Sequence, residues 1–460
     1  MTSIKLMANE EEKDYSSIDA LIVGGGPSGS SCAYWLAKSG WNVVVVEKKS
    51  FPREKTCGDG LTPRSVKQLQ DMGLNSDLDL HHKYSGLRAV AFGKTLELNW
   101  PETPNFPTYG YCVTRYNLDQ MVADNAVKSG AALLVQTEAL EPIFAKSVKE
   151  NNQSRVVGVR TKSKSGETKD LYAKFLVVAD GANSRIGRSL GMQRDKSLPM
   201  GMAIRGYFNS PRSDDPWIES HLDIRDENNR VIPGYGWIFP LGDGRVNVGA
   251  GLLNVNDRWK GFNTTKLMEA FVRQTPKSWG ISQESSLGAP TGGRLPMGLS
   301  IGPRSGAGWL SIGDSQGSIN PFNGEGIAYG YETGRLAATY LDKALRLSDD
   351  LKVITTELTD DVLNFKICDQ VLKEYDLALE ENYRSYYRVA SFFVEIISHP
   401  SVMKVLVGTG MRSKTIMTWV LRIMANLTRE NEHGPAELIL STSEWFTSKT
   451  RKKTPSTLKF

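Results

Sequence analysis

Cysteine and histidine are scarce, four and five in 460 residues. Cys32, Cys57, Cys112 and Cys368 form no CxxC pair and no metal-like spacing with the histidines. That pattern excludes a zinc ribbon and a disulfide-stapled scaffold, and leads us to expect a reducing compartment, no disulfides and no metal. Apolar runs of membrane-spanning length are missing as well. The opening stretch, MTSIKLMANEEEKDYSS, has no apolar signal core, so residues 1–17 are expected to form a flexible arm. Excess positive charge is absent from the body of the chain. The formal net charge is +5, and Lys449, Arg451, Lys452, Lys453 and Lys459 account for it with no acid among them. A nucleic-acid footprint is thereby excluded elsewhere. This basic tail, taken as 431–460, reads either as a solvated end or as a contact for anionic lipid. No internal repeat occurs, and the length suits roughly two or three domains.

Glycine, by contrast, is concentrated where a chain turns from strand into helix. From Ile18 the sequence reads IDALIVGGGPSGSSCAYWLAKSGWNVVVVEKK. An apolar run ends at Gly24, Gly26 and Gly29 in GxGxxG spacing. A helical segment of small residues, a valine run (Val43 to Val46) and Glu47 follow. Gly24 permits the tight turn, Gly26 lets backbone approach a pyrophosphate, and Gly29 lets helix and strand pack closely. The helix N-terminus offers free N–H groups to phosphate, and Glu47 is spaced to accept hydrogen bonds from a ribose. The alternative is a glycine turn that binds nothing.

Two further glycine turns lie at strand ends. Leu176 to Ala179 meets Asp180-Gly181, and Trp309 to Ile312 meets Gly313-Asp314, before Gly324-Glu325-Gly326 opens a helix. Between them, Gly201 to Leu253 alternates in aromatic-rich strands that predict an antiparallel sheet. Tyr84 to Trp100 predicts a strand pair, and Val113 to Ser129 a helix. Residues 18–83, 113–192 and 290–345 thus read as one discontinuous nucleotide-binding domain. Residues 84–112 and 193–289 read as a sheet domain, and 346–430 as a helical region. Near its end, Ile416, Val420, Ile423, Met424 and Leu427 share one helix face with Trp419 at its border. That face is either packed on the body or laid on a membrane.

In order and spacing, the three turns resemble the flavin-binding motifs of the FAD-dependent hydroxylase-type fold. Tyr235-Gly236-Trp237-Ile238-Phe239-Pro240, followed after eight residues by Gly249-Ala250-Gly251, is similar to the YxWxFP…GxG signature of the geranylgeranyl reductase family. The CGDGLTPR loop from Cys57 to Arg64 resembles the form carried by that family's actinobacterial menaquinone reductases. The resemblance runs from about Ile18 to Leu427. It implies an α/β fold: a Rossmann-like FAD-binding domain of the hydroxylase type, an antiparallel-sheet substrate domain and a C-terminal helical region. FAD would be held by Gly24, Gly26, Pro27, Ser28, Gly29, Glu47, Lys48, Cys57, Gly58, Asp59, Gly60, Arg115, Asp180, Gly181, Gly313, Asp314, Pro321, Gly324, Gly326 and Ile327. Within that set Asp314 would bond the ribityl chain, and Arg115 would reach the cofactor.

The activity implied is FAD-dependent saturation of isoprene double bonds in a prenyl lipid, the menaquinone side chain first and geranylgeranyl diphosphate or geranylgeranyl lipids as alternatives. A long apolar tail calls for an apolar tunnel, and Tyr207, Trp217, Tyr235, Trp237 and Phe239 are the residues expected to line it; ordinary core packing is the other reading of these aromatics. Reduction needs a hydride, which flavin supplies, and a proton. Cys57 is the candidate acid or redox partner, with Tyr235 and Trp237 placed beside the reacting bond, although a free cysteine also serves as plain packing. Asp59 is read as shaping the loop, and His221 as a structural histidine. A flavin monooxygenase or halogenase shares the fold, and a cofactor-free lipid carrier is a third reading, against which the intact turns speak. The electron donor is expected to be NAD(P)H, a ferredoxin-like protein or a quinol. The protein is expected in the cytoplasm, peripheral on the inner face of the membrane.

Overall fold

The computed structural model describes residues 18–145, 155–254, 263–354, 361–397, 399–428 and 434–450. The expected N-terminal arm lies outside these residues. The centre is a parallel sheet in the order Trp309–Ser311, Thr168–Val178, Ile18–Val23, Val43–Val46, Ala132–Leu134. Its strands are apolar on both faces because both faces are covered. Ala20, Ile22, Val43 and Val45 pack under the helices, whereas Leu21, Val23, Val44 and Val46 join Val159 and Leu171 of the opposite layer. That second layer is the antiparallel pair Thr137–Phe144 and Val156–Ser163, which continues onto Thr168–Val178. The first helix is Pro27–Lys38, with proline at its N-terminal turn. It lies against the long helix Ile327–Ile354, close enough that a Cβ on Gly334 would stand 2.5 Å from the Ser28 carbonyl oxygen.

A second sheet of seven strands covers this layer in the order Thr291–Pro296, Met200–Asn209, Arg245–Asn254, Gly234–Pro240, Trp217–His221, Gly86–Ala91, Lys94–Asn99. All its pairs are antiparallel except Trp217–His221 with Gly86–Ala91. Thr291–Pro296 therefore belongs to this sheet, not to the nucleotide-binding range 290–345 expected from the sequence. One face packs Ile204, Phe208, Ile238, Val246, Val248 and Ala250 under the helix Thr264–Gln274. The other face carries the residues discussed below.

The C-terminal helices are Asp361–Ile397, Pro400–Gly410, Lys414–Met424 and Pro435–Thr450. Two expectations are corrected here. The helix Lys414–Met424 buries Met417, Leu421 and Ile423, whereas Ile416 is 42% exposed. Its buried stripe is rotated from the expected face because it docks on Leu98 and Trp100 with Leu421, while Leu427 follows in a separate turn after Asn426 at φ +52°. The stretch 431–460 is no simple tail, since Pro435–Thr450 is helical and anchored by an Arg422–Glu437 ion pair of 2.8 Å. Among the described residues no single helix is long and apolar enough to cross a membrane.

Candidate active site

The first turn is built by close contact. Gly24 adopts φ +107° and donates its N–H to the Val46 carbonyl at 2.9 Å. A Cβ on Gly29 would stand 1.9 Å from the Gly24 carbonyl oxygen, so only glycine lets helix and strand meet. Gly26 is the N-cap of Pro27–Lys38 and supplies no side-chain cap, which leaves the helix N–H groups open to an anion. Ser28 packs under Gly313 and so joins the first turn to the third. The Glu47 carboxylate is buried and accepts from the Gly25 N–H at 3.1 Å and the Lys49 N–H at 3.0 Å. It braces the turn besides marking the strand end. Beyond it Lys48, Lys49, Arg53, Gln136, Lys162 and Lys164 line a groove of about 680 Å³.

At the second turn Asp180 caps the short helix Arg185–Ser189 through the Arg185 and Ile186 N–H groups, at 2.8 and 3.2 Å. Its other oxygen is buried with no hydrogen-bond partner among the described residues. At the third, Gly313 has φ +62° and Gly324 +73°, and Asp314 stands beside Gly326, where Ile327 opens its helix. Pro321 packs beneath Gly298. Lys55 bridges the turns: its ammonium is 3.9 Å from Asp314 and would lie 3.7 Å from a Cβ on Gly181. Burial pushes the Lys55 pKa down, and Asp314 draws it partly back. Arg53 pairs with Glu47 at 3.4 Å and Asp119 at 3.0 Å. Neither Arg53 nor Lys55 stands out from sequence; the only signal is their place directly before Cys57. An uncapped helix N-terminus, an orphaned carboxylate oxygen, two cations and three glycine turns in one cleft fit a pyrophosphate-containing dinucleotide.

The cysteine loop follows directly on Lys55. Asp59 holds it: fully buried at φ +64°, it accepts from the Arg115 N–H (3.1 Å), the Tyr207 hydroxyl (2.7 Å) and the Asn247 amide (2.7 Å). Burial raises the Asp59 carboxyl above its usual range, and these bonds offset only part of that rise. Asn247 also donates to the Cys57 carbonyl at 2.9 Å and accepts from Trp237 Nε1 at 2.9 Å. One amide thus ties loop to sheet. The Cys57 thiol accepts the Asp59 N–H at 3.4 Å, and burial pushes its pKa up against the pull of Arg115. Arg115 itself is buried and forks onto Asp119 at 2.6 and 2.8 Å, beside the cysteine loop.

Sheet register explains the wall behind the loop. Tyr207 pairs with Asn247, Asn247 with Phe239, and Gly249 with Trp237. Directly opposed residues share a face, so Tyr207, Tyr235, Trp237, Phe239 and Asn247 point together. Tyr235, Trp237 and Phe239 form a ladder with centroids 5.8 and 6.2 Å apart. Gly249 makes room for it, since a Cβ there would stand 2.2 Å from the Trp237 ring. Gly58 and Gly60 pass beside Phe239, where Cβ atoms would come within 3.1 and 2.9 Å. Tyr235 donates its hydroxyl to the Asn323 carbonyl at 2.6 Å, next to Gly324.

Trp217 does not join this wall. Ser220 opposes Trp237, which puts Trp217 with Glu219 and His221 on the other face, its ring over Gly86. His221 is buried against Glu219 at 2.8 Å, as a structural histidine. Asn247 is the residue sequence reasoning passed over. Its signal was a lone amide in RVNVGAG, in phase with the glycines that face the loop.

An FAD binding domain family model matches residues 17–226. Menaquinone reductases of Mycobacterium tuberculosis and Mycolicibacterium smegmatis are 36% and 37% identical over 90% of this chain and 93% of their own length. The chain belongs to the geranylgeranyl reductase family of FAD-binding flavoproteins. A digeranylgeranylglycerophospholipid reductase of Methanosphaera stadtmanae is 30% identical over 79% of the chain and 88% of its own length. Among solved structures, a geranylgeranyl bacteriochlorophyll reductase-like protein from Thermoplasma acidophilum superposes with TM-score 0.68 at 22% identity, covering 93% of this chain and 96% of that one. A flavin-dependent brominase gives 0.67 at 18% identity, over 95% of this chain and all of that one. These two likenesses establish the hydroxylase-type fold of the family and leave its chemistry to the site.

Proposed function

We propose that this family member saturates isoprene double bonds of a prenyl lipid, with the menaquinone side chain as substrate, at the inner face of the membrane. The observation that carries this is the junction of the three-turn FAD cradle with the Cys57 loop and the Tyr235–Trp237–Phe239 ladder, in a chain 36% identical to a menaquinone reductase. FAD would be held by Gly24–Gly29 and Glu47, by Asp180-Gly181 and by Gly313-Asp314, with the uncapped N-terminus of Pro27–Lys38 offered to the pyrophosphate and Lys55 beside Asp314. When bound and reduced it supplies hydride to one alkene carbon.

The other groups act on the substrate and the proton. The aromatic ladder offers an apolar surface along which a prenyl tail lies flat and excludes water. Cys57, kept protonated by burial, has a proton to give to the second alkene carbon. Asn247 and Asp59 fix where that thiol stands. Electrons enter from NAD(P)H, a ferredoxin-like protein or a quinol, distinguished by which one bleaches the flavin. The head group is tested by anaerobic competition among menaquinone, geranylgeranyl diphosphate and digeranylgeranyl phospholipid. Menaquinone is expected to be favoured by at least about tenfold in kcat/KM, a difference of roughly 1.4 kcal/mol in transition-state binding; preference for either competitor overturns the head-group assignment.

A further inference from the structure

The helix Pro400–Gly410 is amphipathic in the wrong sense for a core helix. Met403 is buried, yet Val402, Val405 and Leu406 are 39%, 66% and 47% exposed. With Thr409 they occupy positions i, i+3, i+4 and i+7, a single outward stripe. Ile416, at the start of the next helix, is also exposed. The charge on these two helices has one sign, while Glu395 on the helix before them and Glu97 on the strand beneath Lys414–Met424 are the exposed acids on the neighbouring elements. Lys404, Arg412 and Lys414 are exposed, and no Asp or Glu occurs from 400 to 428.

The inner side of the same two helices packs in one cluster with two aromatics of the active-site wall. Val407, Met411, Met417 and Leu421 pack into the cluster that holds Phe239 and Tyr207, the residues against the cysteine loop. The preceding helix, Asp361–Ile397, is no membrane span, because Tyr375, Leu379, Tyr386 and Val394 are buried in the body.

We infer that the Val402–Val405–Leu406 stripe, with Lys404, Arg412 and Lys414, is the face that seats this protein on an anionic phospholipid bilayer. Apolar side chains enter the acyl boundary while the cations meet the head groups. This rests on the lipid-substrate reading and names the surface through which such a tail is drawn from the membrane. A protein partner or a second copy would need no run of cations without acids along the two helices that carry the stripe.

The test is vesicle flotation of the FAD-loaded full chain on phosphatidylglycerol-containing and pure phosphatidylcholine vesicles, beside V405E/L406E and K404E/K414E. Wild type is expected to float with anionic vesicles and far less with neutral ones. K404E/K414E should lose at least roughly fivefold per charge changed. V405E/L406E should lose at least about tenfold. Both variants should reduce detergent-dispersed menaquinone at the wild-type rate. Wild-type flotation by V405E/L406E overturns the inference, as does equal binding to neutral vesicles. A wild-type dimer that this variant turns into a monomer by light scattering, without vesicle binding by either, assigns the stripe to a second copy instead. If wild type floats but leaves detergent-dispersed menaquinone unchanged, the substrate reading fails and the docking face stands.

Discussion

Asn247 makes three hydrogen bonds that span two parts of the fold, to Trp237, to the Cys57 carbonyl and to Asp59. Replacing it with leucine leaves Trp237 Nε1 and the Cys57 carbonyl without this partner, at about 1–3 kcal/mol for each left unsatisfied, and takes one of three bonds from Asp59. The Asn247→Leu enzyme is expected to keep its flavin absorbance, lose about 100-fold in kcat through a misplaced loop, and expose Cys57 to faster alkylation. Unchanged turnover with an unreactive thiol would show that the amide serves the sheet alone. Cys57 itself makes a pH prediction. Burial raises its folded pKa above the unfolded value, so the thiol keeps its proton where a free one, near about 8.5, has lost it. Rate is therefore expected to hold through that range and fall only at higher pH. Stability contributed by the half-buried neutral thiol falls over the same window, as pH rises from the unfolded towards the folded pKa. In Cys57→Ser the alkaline limb should vanish from the rate profile together with most of the rate.

At the scale of elements, the strand–turn–helix units were legible because each rests on local rules. Gly24, Gly26 and Gly29 answer to close approaches, and Val43–Val46 reads as a buried parallel strand by composition. Gly29→Ala drives a Cβ into the Gly24 carbonyl. Overpacking of that kind costs about 1–3 kcal/mol, and with the phosphate turn displaced the purified variant is expected to be colourless. A yellow, fully loaded Gly29→Ala protein would refute the account of that turn. Less legible were features set by register. Trp217 and Trp237 are both strand aromatics, and only the pairing of Ser220 with Trp237 reveals that they face opposite ways. The helix Lys414–Met424 was recognised as amphipathic, but which residues it buries depends on the partner surface at Leu98 and Trp100. Pro435–Thr450 was hidden by the basic residues that follow it, its anchor being the distant pairing of Arg422 with Glu437. Arg422→Ala leaves that buried carboxylate short of its cation and is expected to lower the unfolding midpoint by about 1 °C per kcal/mol lost, without changing flavin content.

Over the whole molecule two sheets meet along one seam. The parallel sheet presents its strand ends and glycine turns, and the antiparallel sheet presents its aromatic face. The cysteine loop is stitched between them by Asp59 and Asn247. Fold and cofactor were readable because three separated turns had to converge on one ligand. The stitching of the cysteine loop was not, since it depends on side chains brought together across a chain separation of 190 residues, as between Cys57 and Asn247. The measurement that bears most directly on the account is anaerobic single turnover. Flavin-reduced enzyme is mixed with menaquinone bearing an unsaturated side chain, the head group is reoxidised afterwards, and the side-chain fragment is weighed by mass spectrometry. The account predicts a gain of two hydrogens in the side chain for each bond saturated, with no oxygen consumed. An unaltered side chain, or an oxygenated product that forms only in air, would contradict it.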